Sequence, residues 1–140
     1  MYLIETDMLL AAASPRDRHH ATALEILRSV KPLILSPYSL IELDLIVCSG
    51  RIRVVLPDFY WALESLIAYH GIGVLPPQLL HLEKALALRA GHGLSYFDSL
   101  HAAVAVSAGA TLVSFDRQYA TVRELSYTHP RELLEKLKGS

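Results

Sequence analysis

Apolar positions along this chain fall into two kinds of stretch. Short unbroken runs, Tyr2-Leu3-Ile4, Pro32-Leu33-Ile34-Leu35-Ser36 and Thr111-Leu112-Val113-Ser114, read as buried strands. Between them lie longer stretches with helical spacing. Asp7 is placed to cap a helix over Met8 to Ala13, which Ser14-Pro15-Arg16-Asp17 breaks. A second helix is expected over about His19 to Ser29, with Ala23, Leu24, Leu27 and Val30 on its apolar face. Ser36-Pro37 opens a third near Tyr38 to Cys48. Leu40, Leu43, Leu45 and Val47 make it apolar nearly all round, so it is expected to be largely buried. Gly50 ends it, and Arg51 to Leu56 alternates enough to suggest a short edge strand.

Asp58 is a suitable cap for a helix through about Tyr69. His70 to Pro76 reads as a turn with a short strand-like piece, and Pro77 opens a helix through Ala90 that Gly91-His92-Gly93 stops. Phe97 to Ala108 is a small-residue helix able to approach a sheet closely, closed by Gly109. A short helix is expected after Asp116, then the segment Val122 to Tyr127, a helix from Pro130 to Lys138, and a frayed Gly139-Ser140 tail.

Short apolar strands alternating with helices predict an α/β class, a three-layer α/β/α fold with a mainly parallel central sheet. The 140 residues fit one domain, 1–140, with a core that needs no disulfide. Hydrophobic residues at 52% and charged residues at 19% describe a packed soluble domain and argue against disorder. No apolar run reaches the roughly 18 residues of a membrane span. The start, Met1 to Glu5, lacks a basic region ahead of its apolar run, so no signal peptide is expected, and a cytoplasmic location is. The one cysteine, Cys48, excludes an internal disulfide and a cysteine-cluster zinc site, and is expected to be a small buried hydrophobe. The formal net charge of -1 argues against tight, unspecific binding to long duplexes.

Acidic residues sit where apolar elements end or begin. Glu5 and Asp7 follow the first strand, Asp116 follows the Thr111–Ser114 strand, and Glu42 and Asp98 lie in the first halves of helices. In parallel sheets the ligand crevice lies at the carboxyl ends of the strands, which is the reason to gather these acids in one place. Clustered carboxylates repel one another unless a positive group joins them. Mg²⁺ or Mn²⁺ takes oxygen ligands and serves phosphodiester chemistry. The candidate catalytic residues are therefore Glu5, Asp7, Glu42, Asp98 and Asp116, with Glu5, Asp7, Asp98 and Asp116 as candidate metal ligands. The hydroxyls of Thr6, Ser95 and Ser114 are placed to orient a carboxylate or to cap the local backbone.

The stretch Leu94-Ser95-Tyr96-Phe97-Asp98-Ser99-Leu100-His101-Ala102-Ala103-Val104-Ala105, through Gly109-Ala110-Thr111-Leu112-Val113-Ser114-Phe115-Asp116-Arg117, resembles the PIN domain family, within it the compact VapC-type toxin ribonucleases. Ser36-Pro37-Tyr38-Ser39-Leu40-Ile41-Glu42-Leu43 resembles the segment with that family's glutamate, and Tyr2 to Leu10 resembles its first strand and turn. The resemblance spans essentially the whole chain. It implies a PIN-like fold and a metal-dependent endoribonuclease, the toxin of a type II toxin–antitoxin pair. It also implies a homodimer and a separate antitoxin that reads DNA; no DNA-reading motif is present here. One departure stands out: Glu5 occupies the place where the family usually has Asp before Thr. Glu5 can ligate through another rotamer, Asp7 can take over, or the chain is a weak or inactive RNA- or protein-binding module.

Other features weigh less. Arg16, Arg18, His19 and His20 can touch RNA phosphates at a rim, although a solvated helix start is the simpler reading. His101, one turn beyond Asp98 on the same face, can approach the site, although a packed or partly exposed histidine is the simpler reading; Arg117 can clamp a phosphate, although a surface ion pair is the simpler reading. Phe59, Tyr60, Trp61, Leu63, Leu66 and Ile67, with Tyr38, offer a dimer or antitoxin surface or plain core packing. A phospho-acceptor domain is disfavoured, because no nucleophilic Asp motif and no lysine after a late strand is found.

Overall fold

The computed structural model describes residues 1–139. Five strands, β1 (Tyr2–Ile4), β2 (Leu33–Leu35), β3 (Gly73–Val74), β4 (Thr111–Val113) and β5 (Tyr127–Thr128), form one sheet in the order β3-β2-β1-β4-β5. Every pairing is parallel, with Leu3 opposite both Ile34 and Leu112. The helices are α1 (Thr6–Ala13), α2 (His20–Ser29), α3 (Tyr38–Cys48), α4 (Asp58–Tyr69), α5 (Leu79–His92), α6 (Tyr96–Ala108) and α7 (Pro130–Lys138), with a 3-10 turn at Arg117–Thr121. No helix among the described residues is long and apolar enough to cross a membrane.

Strand side chains alternate between faces, and that alternation builds two apolar layers. Ile4, Leu33, Leu35 and Val113 point to the layer of α1, α2 and α7, which includes Met8, Ile26, Leu27 and Leu133. Leu3, Ile34 and Leu112 point to the opposite layer, with Leu88 of α5, Leu100 of α6, Tyr119 and Val122. The unbroken apolar runs of the sequence are thus strands covered on both sides. The chain steps from β1 outward through β2 to β3, then returns to the other side of β1 for β4. That reversal opens a crevice at the carboxyl ends of β1 and β4. Ala102, Ala103, Val104 and Ala105 of α6 are fully buried, so this helix lies close to its neighbours α5, α3 and β4.

Several sequence expectations need correction. Arg51 to Leu56 is not a strand. Ile52 and Val54 are half-buried while Arg51, Arg53 and Val55 are exposed, so the alternation reports a loop lying on the surface of the domain. The α3 helix is not largely buried: Ser39, Leu43 and Ile46 face inward, whereas Leu40, Ile41 and Leu45 are exposed. Cys48 is exposed as well, because it lies at the solvent end of α3. Glu5, not Asp7, caps α1. Asp58 makes no side-chain cap bond and lies in the first turn of α4, where its charge still suits the helix dipole. The α5 helix runs past Ala90 to His92 because Gly93, at φ +66, supplies the left-handed cap. Gly139 donates its N–H to the carbonyl of Glu135 and caps α7; the rest of the expected frayed tail, Ser140, lies outside the described residues.

Ala103→Leu adds volume where α6 has none to spare. Chemical denaturation is expected to show a loss of about 1–3 kcal/mol or more. A variant as stable as the parent would mean that α6 has room against its neighbours that the burial of Ala103 denies.

Candidate metal centre

Chain direction sets the site. β1 ends at Ile4, and Glu5 takes an extended backbone (φ -132, ψ -168) that turns the chain into α1. Its side chain bends back, and Oε1 accepts the Asp7 N–H at 2.9 Å. This is an N-cap bond, and it helps hold Glu5 at 5% exposure. Thr6 donates its hydroxyl to Glu42 Oε1 on α3. The same carboxylate oxygen lies 2.9 Å from His101 Nε2 on α6, and that nitrogen is 3.8 Å from Glu5 Oε2. His101 Nδ1 is 2.7 Å from the hydroxyl of Ser36, the residue that follows β2.

Asp98 enters from the first turn of α6, which Ser95 caps by accepting the Asp98 N–H at 3.4 Å. Its Oδ1 accepts from the Tyr119 hydroxyl at 3.0 Å, and that hydroxyl also lies 3.2 Å from Glu5 Oε2. One hydroxyl proton thus faces two acids. Asp7 turns toward the end of β4: its Oδ2 accepts the Ser114 hydroxyl and the Phe115 N–H, each at 2.8 Å. Its Oδ1 is buried with no donor. Asp116 is exposed and caps the 3-10 turn through the Gln118 N–H at 2.9 Å. It meets the other acids only by way of Ser114, whose oxygen accepts the Asp116 N–H at 3.1 Å.

The electrostatics follow from burial. Burial pushes the Glu5 carboxyl well above its ordinary value of 4.5, and the neighbouring charges of Asp7 and Glu42 push the same way. Burial also pushes Glu42 upward, but hydrogen bonds from His101 and Thr6 outweigh it, so Glu42 titrates below its ordinary value. The Tyr119 hydroxyl is driven up by burial and by the charges of Glu5 and Asp98, and stays protonated. Among the described residues, no lysine or arginine forms an ion pair with Glu5, Asp7, Glu42, Asp98 or Asp116. Carboxylates this close, with His101 as their one paired basic side chain among the described residues, favour an added positive charge.

A divalent cation fits that need. Glu5, Glu42 and His101 each offer one ligand atom, and these lie within 4.8 Å of one another. Of the four residues named from sequence as metal ligands, Glu5 belongs to this group, Asp98 is one hydroxyl away, Asp7 faces Ser114, and Asp116 is outermost. Of the hydroxyls, Thr6 holds Glu42, Ser114 holds Asp7, and Ser95 caps α6. Sequence reasoning missed Ser36 and Tyr119 and gave His101 less weight than its position carries. His101 is buried, as expected of a packed histidine, but its ring stands at the middle of the acids; the three-residue step from Asp98 was its signal. Ser36 could have been read from its place after a strand, like Glu5 and Ser114. Tyr119 carried no signal beyond following Asp116 by three residues.

At the rim, His19 stacks on Phe115 with centroids 4.1 Å apart, and Arg18 Nε donates to His19 Nε2 at 3.2 Å. Arg117 pairs with Glu132 at 3.0 Å, as the sequence suggested.

Comparison with known proteins agrees with this architecture. The PIN domain family profile matches residues 2–125, and the chain belongs to that family. Its fold is similar to that of PAE2754 from Pyrobaculum aerophilum (22% identity, TM-score 0.67, covering 99% of this chain and 96% of that one). It is also similar to VapBC2 from Rickettsia felis, solved bound to a promoter DNA fragment (17% identity, TM-score 0.70, covering 91% and 97%). A third similar fold is that of VapC20 from Mycobacterium tuberculosis, a sarcin-ricin loop cleaving toxin (19% identity, TM-score 0.71, covering 88% and 95%). No curated protein matches the chain.

Folding the metal-free chain takes up a proton at Glu5, because the unfolded residue ionises near 4.5 and the folded one well above it. The resulting stability is present below that value and declines as pH rises through the raised folded one. Glu5→Gln is therefore expected to raise the melting temperature of metal-free protein at pH 8 by a few degrees (about 1 kcal/mol or more). It should also flatten the fall in stability as pH rises above 4.5. A lower melting temperature at pH 8 would show that Glu5 is not under electrostatic stress.

Proposed function

We propose that this chain is a metal-dependent endoribonuclease that hydrolyses RNA phosphodiester bonds, the toxin of a type II toxin–antitoxin pair acting in the cytoplasm. The observation that carries the reading is the meeting of Glu5, Glu42, Asp98 and His101 at the carboxyl ends of β1 and β4, with no lysine or arginine paired to them among the described residues. A divalent cation bound there, Mg²⁺ or Mn²⁺, supplies Lewis-acid charge to a phosphodiester and to an attacking water. Glu5 and Glu42 would hold it, with Asp98 sharing the Tyr119 hydroxyl with Glu5 and with Asp7 and Asp116 toward the end of β4.

The chain's own residues do the rest. Thr6 and His101 keep Glu42 ionised near neutral pH, so its half-exposed carboxylate can accept a proton from water. Tyr119 holds Asp98 beside Glu5. Ser114 ties Asp7 to the end of β4, which fixes α1 against the sheet. Arg16 and Arg18 offer local positive charge to RNA that the nearly neutral whole does not.

The exposed apolar surface supports the partners. Leu40, Ile41, Leu43, Tyr60, Leu63 and Ile67 line a groove of about 540 Å³ between α3 and α4, suited to an apolar helix of an antitoxin. On α5, Leu79, Leu82 and Leu86 form an exposed stripe suited to a second copy of the chain. DNA reading is left to the antitoxin, as the VapBC2 complex with promoter DNA illustrates for that relative.

Purified protein with Mn²⁺ is expected to cleave RNA, and Asp98→Asn to reduce cleavage by about 10²–10⁴-fold while preserving the circular dichroism spectrum. Cleavage unchanged by that substitution would end the assignment.

One observation favours a second reading, a catalytically weak module. Both Glu5 oxygens are already engaged, by the Asp7 N–H and the Tyr119 hydroxyl. On this reading Glu5→Asp raises RNA turnover tenfold or more (about 1.4 kcal/mol). Turnover that falls on the same substitution would discard it.

A further inference from the structure

We propose that His101 is a nitrogen ligand of this centre, and that it makes the site one for Mn²⁺ or a later first-row ion in preference to Mg²⁺. The proposal rests on the reading of the crevice as a metal centre. It does not depend on RNA being the substrate. The ligands expected from the sequence are all carboxylates, and the imidazole is an addition to them.

The placement of the ring is that of a ligand. His101 is fully buried, and its Nε2 faces Glu42 Oε1 at 2.9 Å and Glu5 Oε2 at 3.8 Å. Ligand atoms about 2.1 Å from one ion lie roughly 3 Å apart in adjacent positions and up to about 4.2 Å apart in opposite ones. Both separations fall within that span. Asp7 Oδ1, two residues on from Glu5, is a buried atom that takes no hydrogen bond from a backbone N–H or a hydroxyl.

The other ring nitrogen is also held as a ligand's would be. Nδ1 lies 2.7 Å from the hydroxyl of fully buried Ser36. A hydroxyl both donates and accepts. Without an ion it can donate to Nδ1, leaving Nε2–H to bond Glu42. With an ion it can rotate to accept Nδ1–H, leaving the Nε2 lone pair free to bind. Metal-binding histidines are commonly fixed by such a partner on the second nitrogen. Mg²⁺ favours oxygen and dehydrates reluctantly, whereas imidazole suits later first-row ions.

Mn²⁺ titrated into the full chain and followed by pulsed electron paramagnetic resonance is expected to show ¹⁴N coupling from one imidazole. Calorimetry is expected to show Mn²⁺ binding at least about tenfold tighter than Mg²⁺. Ser36→Ala keeps the ring but loosens it, so Mn²⁺ affinity should fall about 10–100-fold while the nitrogen coupling persists. His101→Gln should abolish the coupling and most of the Mn²⁺ preference. The wild-type spectrum decides the matter even if that variant fails to fold. Bound Mn²⁺ without ¹⁴N coupling, equal affinity for Mg²⁺, or no saturable binding would each overturn the proposal. An RNA cleavage assay separates this from the function proposed above. Nitrogen-coupled Mn²⁺ in a protein that cleaves no RNA supports His101 as ligand and removes the nuclease. RNA cleavage at an all-oxygen site does the reverse.

Discussion

A carboxylic acid buried at the end of the central strand organises this molecule. Glu5 cannot turn away from the crevice, because its Oε1 closes the first turn of α1 and that helix packs against the sheet through Met8 and Leu9. It must therefore sit beside Asp7, Glu42 and Asp98, and like charges at that distance are costly unless something shares a proton or brings positive charge. The hydrogen bonds around it answer that cost. Tyr119 offers its proton between Glu5 and Asp98, while His101 and Thr6 direct theirs to Glu42. Asp7 Oδ1, a buried atom that receives no N–H or hydroxyl, marks where these donors run out.

The layered parallel fold was legible because its three central strands, β1, β2 and β4, are short, nearly unbroken apolar runs set between helices. Leu3, Ile34 and Leu112 face one layer while Ile4, Leu33, Leu35 and Val113 face the other, so both faces are covered and polar interruptions are excluded. The limits of α3 and α7 were legible for a similar local reason: Pro37 and Pro130 fix a start, and Gly50 and Gly139 lie just past the ends. Arg51 to Leu56 was misread because a surface loop with every second side chain turned inward leaves the same trace as an edge strand. Backbone pairing is what separates the two, and it depends on a neighbour that no local pattern specifies.

The same distinction explains the site. Glu42 and Asp98 could be read because a charge inside an apolar helix or at a helix start needs a local reason. Tyr119 could not, and His101 only through its step from Asp98, because most of each side chain belongs to the core. The Tyr119 ring packs with Leu112, Val122 and Leu125, and only its hydroxyl reaches the acids. Such residues satisfy every rule for an interior position while placing one polar atom in the crevice. The exposure of α3 is the complementary case. Its apolar content was counted correctly, but burial requires a second surface, and Leu40, Ile41 and Leu45 have none within the chain.

The extra methylene of Glu5 ties these points together. An aspartate in its place has a shorter reach, so the same carboxylate could not span from the α1 cap to the Tyr119 hydroxyl without moving its backbone. With glutamate, the acid extends from the end of β1 far enough for Oε2 to lie 3.8 Å from His101 and 3.2 Å from Tyr119 while Oε1 still caps the helix. The longer side chain therefore moves the negative charge toward α6 and the imidazole, and leaves the β4 side to Asp7 and Ser114. The glutamate that stands where the family usually has aspartate is, on this geometry, what brings a carboxylate within 3.8 Å of the buried imidazole.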